Sequence, residues 1–339
     1  NGRDLLGRFE PDGSVLYHPS PGHPDYGKTH FAPDANGLTA QIVRSLLESA
    51  ALTGDPQLIR EGLRLLRALN KFDNTVPRGA QTWEVPLHTP DILASAHLVR
   101  AYTIGYELSG DPQFLERARY WAWTGVPLVY LRNPTGGAVG PYATIAVLGA
   151  TGWVAPVWIG LPVQWCGLVY ADSLYRLERH DPHGPWRQIA DGITASGIQQ
   201  TWPRGSGDRQ GLLPDSFNLS NQTRNDPAIN PGTVLANATR LFNRPVLYDF
   251  RSFVKSGLLV HAPGSITDPV EKQSQISFTV NGWPTAPYSI LVAGCKTAPQ
   301  VRLNGQPASP ADQQYVEGQG WLILRVEGKV KVEIGVGGG

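Results

Sequence analysis

The sequence predicts a mainly α chain with a β tail: helical hairpins stacked as a toroid or solenoid, then an antiparallel β-sandwich. Three observations predict it. A turn is written twice, as Leu52-Thr53-Gly54-Asp55-Pro56-Gln57 and as Leu108-Ser109-Gly110-Asp111-Pro112-Gln113, 56 residues apart. Amphipathic segments flank both copies. Near Pro245 the apolar pattern changes from helical spacing to short alternating runs rich in Val, Ile and Tyr.

The turn chemistry explains the hairpin. Gly ends one helix in a left-handed cap, Asp caps the next, and Pro takes its first position. A looser third copy is His180-Asp181-Pro182-His183. Helices are expected at 38–53, 56–70, 90–109, 112–126, 163–178, 185–201 and 231–242, the last opened by Asn230-Pro231. Leu38, Ile42, Leu46 and Leu47 give the first its buried face. Strands are expected at Leu258–His261, Gln275–Val280, Tyr288–Val292, Gln300–Leu303, Trp321–Val326 and Val330–Ile334, in a sandwich of about seven. Asn304-Gly305 and Glu327-Gly328 read as hairpin turns. The domains are then 1–244, helical, and 245–339, the sandwich.

Composition excludes some functions. A formal charge of +1 gives no electrostatic case for nucleic acid or an acidic membrane. Asn133–Ala171 carries no Asp, Glu, Lys, Arg or His, yet Gly149, Gly152, Pro156, Gly160 and Pro162 break it as a membrane span. It reads as a loop and a helix buried in the protein. Cys166 and Cys295 lie far apart and read as two free buried thiols. Neither a metal nor a cofactor is expected, because His23 and His30 lack ligand spacing and no phosphate or dinucleotide loop occurs. The chain does not begin with Met, and a secreted or periplasmic location is the expectation.

The connections are unequal. Turns after the first, third and fifth helices are short, whereas 9–37, 71–89, 127–162 and 202–230 are long. In an antiparallel stack the long segments share one face, and loops on a rigid frame are where sites are built. Glu84, beside Trp83 and between Arg78 and Pro86, is the leading candidate for a general acid. His88 and Asp91 flank the start of the third helix, where Asp91 also suits the helix dipole. Tyr26, His30 and Asp34 recur every four residues before the first helix, with Asp34 readable as its N-cap. Asp215 in the fourth long segment is the candidate to face Glu84, and Asp172 is expected to pair with Arg176 one turn on. Arg78, Tyr142, Trp153, Trp158, Gln164, Trp165 and Arg209 complete the polar and aromatic surface for binding a substrate.

Repeated hairpins with Gly-Asp-Pro turns, the Trp83-Glu84 and Gln164-Trp165 loops and a terminal sandwich resemble the (α/α) toroid carbohydrate-active enzymes. These comprise six-hairpin glycosidases and toroid-plus-sandwich polysaccharide lyases. The resemblance covers the whole chain and implies a polysaccharide or oligosaccharide substrate. As a hydrolase, Glu84 would act as acid with Asp215 or Asp91 as base. As a lyase on uronates, Tyr26, His30, His88 and Arg78 would serve. A non-catalytic sugar-binding protein is the third class. Seven helices fall short of the twelve in a closed ring, so the toroid is either open or completed by an N-terminal region or a second chain.

Overall fold

A computed structural model of the chain describes residues 2–18, 21, 33–73, 75–81, 86–148, 161–244 and 246–336. Among the described residues all seven expected helices are present, preceded by a short α1 (Gly2–Leu6). They are α2 (Asn36–Thr53), α3 (Pro56–Ala68), α4 (Ile92–Ser109), α5 (Pro112–Gly125), α6 (Gln164–Glu178), α7 (Trp186–Gln200) and α8 (Gly232–Leu241). The turn repeat does what its residues dictate. Gly54 and Gly110 sit at φ 67° and 69°, each donating its N–H back to the helix. Asp55 accepts from the N–H of Gln57 at 2.8 Å, and Asp111 from that of Gln113 at 3.1 Å.

The looser copy does not cap. α7 starts after Pro185 with no side-chain cap, and Asp181 instead accepts from the indole of Trp186 at 2.7 Å and pairs with Arg119. Asp34 is not an N-cap either. Ala35 holds that position, and the Asp34 carboxylate takes Lys71 at 2.7 Å. The buried amide of Asn36 then fixes the entry to α2, accepting from the Arg78 N–H and donating to the Val76 carbonyl.

Packing runs along two rows. α2, α4, α6 and α8 form one, and α3, α5 and α7 back it. α4 is central, with Leu98, Ala101, Tyr102 and Ile104 wholly buried, so it meets neighbours on every side. Charged groups cross the first row as Glu48–Arg100 (3.2 Å), Arg100–Asp172 (3.1 Å) and Asp172–Arg240 (3.9 Å). Asp172 thus pairs across helices, not with Arg176 one turn on. Arg176 goes to Glu107, which His180 also meets at 2.9 Å. Burial works to raise the Glu107 carboxyl, but Arg176 and His180 prevail and hold it below the usual range.

The β part has ten strands among the described residues, in two five-stranded antiparallel sheets. It follows a separate hairpin, β1 (Leu213–Asn218) and β2 (Thr223–Ile229), in the fourth long segment. One sheet holds β3 (Asp249–Phe253), β4 (Leu258–Ala262), β7 (Tyr288–Ala293), β10 (Gln313–Val316) and β11 (Trp321–Val326). The other holds β5 (Ser265–Lys272), β6 (Gln275–Asn281), β8 (Val301–Leu303), β9 (Gln306–Pro307) and β12 (Lys329–Gly335). Period-two alternation puts Ile276, Phe278 and Val280 against Val330, Val332 and Ile334, with Ile290, Val292, Leu322 and Leu324 facing them. Asn304-Gly305 does turn β8 into β9, at φ 50° and 83°. Glu327-Gly328 does not close a hairpin. β11 and β12 lie in different sheets, and the turn crosses the sandwich. Cys166 and Cys295 are buried thiols not joined in a disulfide, as expected.

The sandwich lies against the short-turn ends of the helices. The indole N–H of Trp321 donates to the Thr53 carbonyl at 2.9 Å. His261 meets the Ala51 carbonyl at 2.9 Å through Nε2 and the Tyr248 hydroxyl at 2.7 Å through Nδ1. The carbonyl fixes Nε2 as the protonated nitrogen, so Nδ1 accepts from the hydroxyl. Phe250, Leu259 and Ala293 join the helical core.

Gly54→Ala is expected to destabilise more than Gly110→Ala in urea unfolding. Both force a side chain into the left-handed region, at about 1–2 kcal/mol. Only at Gly54 does an added Cβ come within 2.9 Å of Ala293 and Gly294; at Gly110 it meets Val254 at 3.6 Å.

Candidate functional site

With the short-turn end covered, the long segments meet at the other end, where α2, α4 and α6 begin. Isolated antiparallel bridges join them: Arg78 with Pro90, Asp91 with Val147, Val129 with Thr144, and Ile145 with Pro162. Helix N-termini supply donors that hold these segments down. The Gly37 N–H reaches the Arg78 carbonyl at 2.9 Å, and the Ile92 N–H reaches the Ala146 carbonyl at 3.0 Å.

Asp91 is the knot of this platform. It caps α4 by accepting from the Ala94 N–H at 2.7 Å, and its other oxygen accepts from the Ala80 N–H at 2.9 Å. It is 0% exposed. Burial pushes its carboxyl up to about 7, against the N–H groups of Ala80, Ala94 and Gly79 and the side chain of Gln81. A group so enclosed touches no substrate without a rearrangement; it positions the backbone at Ala80. Gln81 itself is wholly buried and donates to the Ala146 carbonyl at 3.2 Å.

Gln164 is likewise part of the frame. Its carbonyl oxygen accepts from the Thr144 N–H at 2.9 Å and from Gln200 at 2.8 Å. Its amide donates to the carbonyls of Ile193 at 2.8 Å and Tyr142 at 3.1 Å. With that capacity used and 1% exposure, it offers a sugar nothing.

Trp165, the next residue, is half-buried against the helical core. Tyr142 stands at φ 58°, a left-handed conformation uncommon for a large side chain. Its ring covers Gly192 of α7, where an added Cβ would fall on the ring. The strand hairpin adds the far wall. The guanidinium of Arg224 donates to the carbonyls of Gln199, Gln200 and Thr201, closing the end of α7, and Gln222 ties the hairpin to Val139. Asp215 is half-buried on β1, at the point where the register with β2 shifts.

Several of the described cations on this face are engaged. Arg78 donates through one nitrogen to the carbonyls of Asp34 and Leu87, both at 3.1 Å. Lys71 lies between Asp12 and Asp34. Arg209 pairs with Asp226 at 3.0 Å and lies over Trp202, its centre 5.5 Å from the ring. His88 is half-buried between the buried residues Leu87 and Thr89. Tyr26, His30, Trp83, Glu84, Trp153 and Trp158 lie outside the described residues. Among the described residues no group of three or more His, Cys, Asp or Glu could hold a metal, and no helix is long and apolar enough to cross a membrane. The frame residues Gln81, Gln200 and Arg224 carried no signal in the sequence, since an isolated Gln or Arg in a polar segment has no pattern.

No family model and no curated protein matches the chain. Solved structures similar to it include a GH76 alpha-mannanase of Bacteroides thetaiotaomicron, at 12% identity and a TM-score of 0.46, over 71% of this chain and 62% of that one. A cellobiose 2-epimerase from Bacillus thermoamylovorans is 14% identical with a TM-score of 0.43, over 71% and 66%. A GH127 beta-L-arabinofuranosidase from Geobacillus stearothermophilus is 9% identical with a TM-score of 0.37, over 86% and 53%. The chain thus spans less than two thirds of the length of each. Identities and scores of this size assign it neither a family nor an activity.

Asp91 sets a pH dependence whose sign follows from its raised carboxyl. The folded state holds this proton more tightly than the unfolded one, so the contribution is full below about 4 and is lost as pH rises through about 7. The melting temperature of the native chain minus that of Asp91→Asn is expected to fall over that window. A flat difference would mean that Asp91 is ionised throughout.

Proposed function

We propose that the chain is a carbohydrate-active enzyme, a glycoside hydrolase whose cleft opens on the long-segment face. One observation carries this reading. The sandwich occupies the short-turn end through Trp321, His261 and Gly54, and the described parts of the long segments, with Tyr142, Trp165 and Asp215, form a bridged, hydrogen-bonded platform at the opposite end. Such a surface combines faces for stacking on sugar rings with carboxyl groups held on a stiff frame.

In this reading Glu84 protonates the departing glycosidic oxygen and Asp215 activates the water that attacks the anomeric carbon. Trp83, Trp153, Trp158, Trp165 and Tyr142 hold the sugar rings. Asp91 positions the Glu84 segment and does not itself exchange a proton with substrate. His88 and Arg209 contact outlying hydroxyls. The polymer is uncharged. A uronate would need a cation to neutralise its carboxylate before the neighbouring proton leaves. Arg78, Lys71, Arg209 and Arg224 are each tied to a carbonyl or a carboxylate, which disfavours the lyase alternative with Tyr26 or His30 as base.

The test is incubation with neutral and acidic polysaccharides, following reducing ends and ultraviolet absorbance together. New reducing ends without absorbance are expected, with kcat lowered at least about 100-fold in Glu84→Gln. An absorbing, unsaturated product would establish the lyase instead. Binding without cleavage would leave a sugar-binding protein.

A further inference from the structure

We propose that the cavity at the junction of the helices and the sandwich binds a small oxyanion: a free sulfate or phosphate, or the carboxylate of an acidic sugar. The cavity measures about 200 Å³, and Tyr106, Glu107, His180, Phe250, Arg251 and Ser252 line it. It lies at the short-turn end, away from the long-segment face, and its ligand is independent of the reaction proposed above.

The charge balance points to an anion. Arg176 is matched by Glu107, and Arg179 by Asp249 at 2.8 Å. Arg251 is a third arginine there, with Arg179, Asp249 and Glu107 as its electrostatic neighbours. Among the described residues no hydrogen bond or ion pair engages its guanidinium, and its Nε is buried without a partner. A guanidinium taken partly out of water and left unmatched favours an anion of fork geometry. The hydroxyls of Tyr106 and Ser252 have no partner among the described residues either, and each is a donor for a further oxygen.

The strand explains how these groups meet. β3 is an edge strand, and Phe250 enters the helical core, so Ser252 leaves on the same side. Arg251 leaves on the other side at the open edge, and the site wraps that edge. One effect opposes binding. α4 and α6 end here, and helix C-termini disfavour anions. Arg176, Arg179 and His180, in or just past the last turn of α6, already answer that field and Glu107, which leaves Arg251 in excess. The competing account, in which Arg251 only adds to that neutralisation, predicts no ligand.

Isothermal titration of the full chain with inorganic phosphate, sulfate and glucuronate, against sodium chloride at matched ionic strength, decides between them. Saturable binding of at least one is expected, weakened about tenfold or more in Arg251→Gln and partly restored in Arg251→Lys. Glucuronate binding alone would identify an acidic sugar; phosphate or sulfate binding would identify the free ion. Heats equal to chloride for all three, or affinity unchanged in Arg251→Gln, would overturn the proposal. Should Arg251→Gln fail to fold by circular dichroism, Ser252→Ala carries the comparison: weaker binding supports the site and unchanged binding overturns it.

Discussion

The structure depends on how the last turn of α2 satisfies its carbonyls. A helix leaves its final four C=O groups without partners, and burying one unpaired costs about 1–3 kcal/mol. Here the Gly54 N–H takes Ala50, Nε2 of His261 takes Ala51, and the indole of Trp321 takes Thr53. The remaining one belongs to Leu52, whose residue is 53% exposed. The sandwich therefore completes a helix cap, and that completion places it at the short-turn end. Everything about where a site can lie follows from this polarity.

The opposite end solves the complementary problem. Helix N-termini there have spare N–H groups, and the long segments supply the acceptors: Arg78 for Gly37, Ala146 for Ile92, and the Asp91 carboxylate for Ala94. The same donors that complete the helices thus stitch the segments into a platform. Gln164 and Gln81 extend the stitching inward, and Arg224 extends it to the hairpin. Burial makes such a network rigid only if its members are satisfied, and Gln164 is bonded through both its oxygen and its nitrogen.

Much of the fold was legible because a few residues have no other use. Gly at positive φ followed by Asp-Pro specifies a helix end and a helix start, and the helix bounds fell within two residues of expectation. Pairings were less legible. Asp172 and Arg176 have ideal helical spacing, yet α4 presents Arg100 to one and Glu107 to the other. The β1–β2 hairpin was read as loop because Pro214, Pro227 and scattered charges disguise it. At the candidate site, burial was illegible. Asp91 and Gln164 look no different in sequence from exposed polar residues, because the neighbours that enclose them, Ala80 and Val147 or Tyr142 and Ile193, come from other segments.

The charges across the first helix row bear on the surface field as well as on stability. Glu48, Arg100, Asp172 and Arg240 alternate in sign, and such half-exposed pairs each contribute about 0–1 kcal/mol. Their energetic weight is slight, but their order cancels the field along the row. A polyanion approaching it meets each arginine already beside an acid, so no steering field draws it in. On the platform above, Lys71 is committed in the same way, and Arg78 is held by backbone carbonyls. A neutral polymer requires no such field. In the proposed reading it is held by ring faces and hydroxyl contacts, with the half-buried Trp165 and Tyr142 among the rings. The distribution of charge, more than its total, is what the proposal of a neutral sugar rests on.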